Sequence, residues 1–191
     1  MLDRIMGVIT LKSPIYRQIA DDQTATSQAA IIVVIAMLVR GFFSGLFKAG
    51  TDGTFTVSVV GAIIGAIVIL ILGLVGWWVA AWVLSFVAGM FGGKTNTGEM
   101  LRVTGYVQVF SLVAVLNILA LISPALLCIV GLIGLIVFVL SIIGYVIGVR
   151  EAAEFSTGNA VITAIIAAVV NFIIVGVIGG VIVGAVTAMV G

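Results

Sequence analysis

From Val57 to Phe91 the chain runs for 35 residues without a charged side chain. A helix needs only about 20 apolar residues to cross a hydrocarbon core of about 30 Å. The run is therefore too long for one upright helix and too short for two helices and a turn. Tilting, a kink near Gly73 and Gly76, or projection of the last turns beyond the bilayer would each absorb the excess. Projection places Trp77, Trp78 and Trp82 near the interface, where indole rings concentrate. The composition extends this constraint to the whole chain. Hydrophobic residues make up 63% and charged ones 8%, against about 25% charged in a soluble domain. A chain of this size has no water-facing core large enough to hide that much apolar surface, so lipid is the solvent. The expected fold class is an all-α integral membrane protein, a five-helix transmembrane bundle with a short N-terminal amphipathic helix.

The charges cluster, and the clusters separate the spans. Asp3, Arg4, Lys12, Arg17, Asp21 and Asp22 lie in an N-terminal segment, 1–24, ahead of a five-span domain, 25–191. Leu2, Ile5, Met6 and Ile9 fall at helical spacing on one face of that segment. Such a helix suits either the lipid headgroup layer or the protein's own cytoplasmic surface. Ser13 is read as the N-cap of a second short helix through Ala20, with Pro14 at its first position. No cleavable leader is evident, so the first span is expected to serve as an uncleaved anchor. Spans are expected over about 25–47, 57–91, 101–122, 125–148 and 160–189, with a turn-rich loop at 49–54 and a break at Ser123-Pro124. Counting Lys and Arg alone sets orientation. Arg4, Lys12, Arg17, Lys94, Arg102 and Arg150 share one side, Arg40 and Lys48 the other, which predicts N-in and C-out. A four-span arrangement, with the third and fourth segments re-entrant, would instead bring the C-terminus inside.

The residue types exclude much chemistry. Without histidine there is no Ser-His-Asp or Cys-His nucleophile and no His-ligated metal or haem. Cys128, between Leu127 and Ile129, reads as a small core hydrophobe. Gly92-Gly93-Lys94-Thr95 lacks the upstream glycine and the preceding strand of a phosphate loop, so nucleotide binding is rejected. A net charge of +1 lacks the basic footprint of a nucleic-acid binder. Glu151 and Glu154, one turn apart, read as a solvated turn rather than a cation site. No catalytic residue, cofactor or metal ligand is expected.

Glycine spacing is the strongest pattern after hydropathy. Gly61 and Gly65, Gly144 and Gly148, and Gly176, Gly180 and Gly184 recur at four residues. Small residues at that spacing let helix backbones approach closely in lipid. They predict seams inside the bundle or, at the end of the fifth span, a glycine zipper for a partner helix. Asn117, Asn171 and Gln108 are polar at membrane depth and are expected to hydrogen-bond across helices. Ionisable groups, common in ion-coupled transporters, are missing from mid-span apart from Arg40, which sits near enough to an end to snorkel.

The loops resemble a family. Gly92-Gly93-Lys94 through Leu101-Arg102-Val103-Thr104-Gly105-Tyr106 is similar to the turn and helix between the second and third spans of Yip1-domain proteins. Ser13-Pro14-Ile15-Tyr16-Arg17-Gln18-Ile19-Ala20 resembles the segment before the first span of prokaryotic members. Gly148 to Ala152, with Asn159-Ala160, resembles their loop between spans four and five. Phe110 and Ser111 depart from the family where a proline often stands, and Thr157-Gly158-Asn159 replaces a more basic, aromatic turn. The resemblance implies five spans, a cytoplasmic N-terminus and a prokaryotic plasma membrane. Eukaryotic members of similar topology are non-enzymatic adaptors that bind small GTPases, a role that does not transfer to a chain with so short a soluble segment. The expected function is a non-catalytic scaffold or accessory subunit, packed against the lipid bilayer, other integral membrane subunits or copies of itself. The alternatives are a small channel or permease for a neutral solute and a membrane-shaping protein.

Overall fold

A computed structural model describes residues 1–49 and 55–190. Five helical stretches are long and apolar enough to cross a membrane: Ala25–Leu46, Val59–Met90, Thr97–Leu121, Leu127–Ala153 and Thr157–Ile174. The protein is an all-α multi-pass membrane protein. In chain order the elements are α1 (Leu2–Ile9), α2 (Ser13–Asp21), α3 (Ala25–Leu46), β1 (Phe47–Ala49), β2 (Phe55–Val57), α4 (Val59–Met90), α5 (Thr97–Val107), α6 (Leu127–Ala153) and α7 (Thr157–Val190). The long charge-free run is one unbroken helix of 32 residues. Ser58 caps it, its hydroxyl accepting from the Gly61 N–H at 3.0 Å. Most of the expected 49–54 loop lies outside the described residues. The strands flanking it, paired antiparallel with Phe47 opposite Val57, were not anticipated.

The third span changes helix type part-way. After α5 the backbone tightens into a 3-10 helix over Gln108–Leu121, 14 residues long. Runs beyond three or four residues are uncommon, because side chains at i and i+3 eclipse. This sequence makes that eclipse useful. Gln108, Ser111, Ala114, Asn117 and Ala120, all small or polar, recur every third residue. Val115, Ile118 and Leu121, also three apart, form an exposed lipid-facing stripe. At about 2.0 Å per residue, the segment reaches about 28 Å, a third more than the same residues in an α-helix.

The best-packed core sits at the end of the bundle where α1 and α2 dock. Tyr16, Ile19, Leu84, Met100, Val103, Tyr106 and Val149 are fully buried there. α1 docks on the bundle through Gly7 and Val8, which are buried, while Leu2, Met6 and Ile9 stay exposed. Leu11, at φ 56°, reverses the chain into α2. That helix starts one residue earlier than expected. Lys12 is its N-cap, and the Ser13 hydroxyl instead accepts from Arg150 Nη2 at 2.7 Å. Cys128 is exposed rather than in the core, because it lies on the outward side of α6.

Candidate functional site

Three places gather the residues singled out by sequence. The first is a seam between α3 and α4 in which glycine meets glycine. A Cβ at Gly41 would stand 2.5 Å from the Gly65 carbonyl oxygen, and one at Gly61 would stand 2.5 Å from that of Gly45. Gly61 and Gly65 thus face Gly41 and Gly45, a second four-residue glycine pair that the sequence reading passed over beside Arg40. Gly144 and Gly148 do something different. They receive a side chain, the Tyr16 ring, whose hydroxyl lies 2.8 Å from where a Gly144 Cβ would be. At Gly176 nothing lies within 4 Å of that position, and the surroundings of Gly180 and Gly184 fall outside the described residues.

The second place is a polar latch where the N-terminal helices meet the bundle. Arg17 spans three groups: the Asp21 carboxylate at 2.8 Å, the Glu154 carboxylate at 2.6 Å and the Glu151 carbonyl at 3.0 Å. Arg150 holds Glu151 at 2.6 Å. The two glutamates are therefore occupied by arginines rather than merely solvated. Arg102, only 7% exposed, donates from Nε and Nη2 to the Ala20 carbonyl at 2.9 and 2.5 Å. That carbonyl lies in the last turn of α2, where acceptors lack helical partners and a cation favours the helix dipole. Tyr106 Oη is hydrogen-bonded to Gln28 Oε1. Arg4 pairs with Asp22 at 2.5 Å.

The glycine-lysine loop joins this latch. Gly92, at φ +79°, ends α4 in a left-handed conformation that a side chain would disfavour. The Gly93 N–H then returns to the Ala88 carbonyl at 2.9 Å, closing a Schellman cap. The Lys94 N–H donates to the Ala153 carbonyl at 2.9 Å, tying the loop to the end of α6. Asn96 caps α5, its Oδ1 accepting from the Glu99 N–H at 3.0 Å. At Gly105, α5 approaches so closely that a Cβ would meet Ala29 Cβ at 2.8 Å and Trp77 Cζ2 at 2.9 Å. Trp77 accordingly turns inward, donating from Nε1 to Thr104 Oγ1 at 3.0 Å, whereas Trp78 and Trp82 are exposed.

The third place is the polar stripe of the 3-10 segment. Its groups bond locally rather than across helices. Ser111 donates to Gln108 Oε1 at 3.0 Å, and Asn117 Nδ2 to the Ala114 carbonyl at 2.9 Å. Asn171 Oδ1 is buried with no hydrogen-bond partner among the described residues. A three-residue period eclipses these groups along one edge, which brings each within reach of its own turn. Gln108 and Ser111 border a cleft of about 490 Å³ walled by α5, α6 and α7. Asn117 borders another, of about 340 Å³, with Arg40 and Ser44 near the opposite end of the bundle.

The family model of the Yip1 domain matches residues 6–179. The chain belongs to the Yip1-domain family. No curated protein and no solved structure shows significant similarity to it. The Yip1-domain match takes in the glycine seam, the cleft walls and all of the latch except Arg4. Within it, the motif residues Gly92, Gly93, Lys94, Arg102, Gly105 and Tyr106 share one structural task. They close α4 and fasten α2, α3, α5 and α6 at one end. Tyr16 and Arg17, from the segment that resembles the one before the first span of prokaryotic members, complete that end.

The latch of this Yip1-domain protein carries a pH signature. The Thr24 hydroxyl and then Arg4 hold the Asp22 carboxyl at a pKa of about 2, down from 3.8. A carboxyl with a lowered folded-state pKa stabilises the docked state above its unfolded pKa, and that contribution fades as pH falls through the folded value. The Thr24 bonds are local and survive undocking, so only the Arg4 part is linked to α1: its docking should be insensitive to pH above about 4 and weaken modestly as pH falls toward about 2. Amide exchange over residues 2–21 measures it, and Asp22→Asn should flatten the profile.

Proposed function

We propose that this Yip1-domain protein is a non-catalytic membrane scaffold or accessory subunit. On this reading it packs against other integral membrane proteins or copies of itself, with N-terminus cytoplasmic and C-terminus outside a prokaryotic plasma membrane. One observation carries the reading: glycines at Gly131, Gly134 and Gly176 have nothing within 4 Å of where a Cβ would stand. Glycine inside a helix costs about 0.5–1 kcal/mol relative to alanine. At Gly41, Gly45, Gly61 and Gly65 the bundle's own close packing offsets that cost. At the open positions no internal contact does, and a helix of a neighbouring subunit would. The six-to-two distribution of Lys and Arg supports the orientation. Purification from native membranes in mild detergent tests the role. The native chain should travel with a stable partner or as an oligomer, and Gly134→Leu with Gly176→Leu should release it while leaving thermal stability unchanged. A monodisperse monomer in native mass spectrometry, with nothing bound, would refute the proposal.

A further inference from the structure

The cleft between α5, α6 and α7 combines two features that call for a particular occupant. Its walls are apolar, formed by Val107, Val146, Val161 and Ile165, yet Gln108, Ser111, Ser141 and Tyr145 also line it. The serine hydroxyls are engaged: Ser111 donates to Gln108 Oε1, and Ser141 to the Phe138 carbonyl at 2.7 Å. Accepting from Ser111 commits the carbonyl side of the Gln108 amide. Its Nε2 donors, and the Tyr145 hydroxyl, have no acceptor among the described residues. Unpaired donors at membrane depth are costly. Tyr145 lies eight residues before the end of α6 at Ala153, about 12 Å in from that end. Water would satisfy the donors beside the polar residues of the lining but would leave the valine and isoleucine walls without an apolar partner. An amphiphile with acceptor oxygens at the head of a long apolar chain satisfies both features. The volume of about 490 Å³ falls within the range of about 300–1,000 Å³ for small-molecule sites.

We propose that this cleft is a binding site for a membrane glycerolipid, with Tyr145 Oη–H and Gln108 Nε2–H donating to its ester carbonyl oxygens and one acyl chain lying along Val107, Val161 and Ile165. The assignment is independent of the scaffold reading. The test uses the full chain, delipidated in mild detergent and titrated with a diacyl phosphatidylglycerol while native mass spectrometry counts bound lipid. One lipid should bind well above the background of annular molecules. The dialkyl ether analogue, which lacks carbonyl oxygens, should bind about tenfold more weakly, as expected for two neutral hydrogen bonds. Tyr145→Phe with Gln108→Leu should bind the ester and ether lipids alike, at that weaker level. Ala168→Trp, which fills the cleft from an exposed position on α7, should abolish the site. Val115→Trp, on the lipid-facing stripe of the 3-10 segment, should not. Equal binding of ester and ether lipids by the native chain, which involves no mutation, would overturn the carbonyl assignment. Retention of the tight lipid by Ala168→Trp would show annular lipid only and overturn the site.

Discussion

A Gly45→Leu variant is expected to lose thermal stability in mild detergent by on the order of 10 °C, or to fail to assemble. At Gly45 even a methyl group would overlap the Gly61 carbonyl oxygen and crowd the Ala62 nitrogen at 3.1 Å. Those atoms are backbone, so no rotamer change relieves the clash, and α3 must move away from α4. Separation would also open the neighbouring contact of Gly41 with Gly65. Overpacking a side-chain core costs about 1–3 kcal/mol, and a seam of main-chain atoms belongs at or above the top of that range. Gly89→Leu is the control. It lies on the same long helix with nothing within 4 Å and should be neutral. Helix propensity favours leucine over glycine at both positions, so equal losses in the two variants would show that something other than the seam sets the effect.

Tyr16→Ala should undock the N-terminal helices while the five spans remain folded. Tyr16 is fully buried against Gly144 and Gly148, and its hydroxyl donates to the Val8 carbonyl at 3.0 Å. Deleting a buried aromatic side chain costs about 3–5 kcal/mol, and the cleared glycine surface leaves nothing to refill the space. Tyr16→Phe keeps the ring and removes one of two hydrogen bonds to the Val8 carbonyl, which still accepts the Leu11 N–H at 3.0 Å, for at most about 1 kcal/mol. Limited proteolysis within residues 1–24 should therefore accelerate sharply in the alanine variant and little in the phenylalanine one. Similar rates in both would mean that the hydroxyl, not the ring, holds the segment.

Five spans were legible because charge clusters and apolar runs register the solvent directly, and solvent dictates where a helix enters and leaves lipid. Seams were less legible. Gly61 and Gly65 carry a visible spacing, but nothing local tells that their partners are Gly41 and Gly45 instead of a neighbouring subunit. Gly144 and Gly148 carry the same spacing and accommodate a tyrosine from 128 residues earlier in the chain. The 3-10 segment did leave a trace, the small and polar residues every third position from Gln108 to Ala120. A search for 3.6-residue periods passes over it. Arg102 counted correctly as a charge at the N-terminal end of the bundle. Its burial against the Ala20 carbonyl depends on α2 folding back, which no pattern near Arg102 records. Asn117 was expected to reach across helices because polar side chains in lipid must find partners, yet the partner was one turn away.

The latch also sets an order of events during synthesis. Ser13 and Arg150, hydrogen-bonded in the finished protein, are 137 residues apart, and Arg102 and Ala20 are 82 apart. At about 5–20 residues per second, Ser13 leaves the ribosome about 7 to 27 s before Arg150 does. Tyr16 has no glycine-lined surface to enter until Gly144 and Gly148 are made, and Ala20 has no guanidinium to cap it until Arg102 is. The segment of α1 and α2, made before the spans it packs on, is thus among the last to reach its place, and the bilayer surface offers its apolar face shelter while it waits.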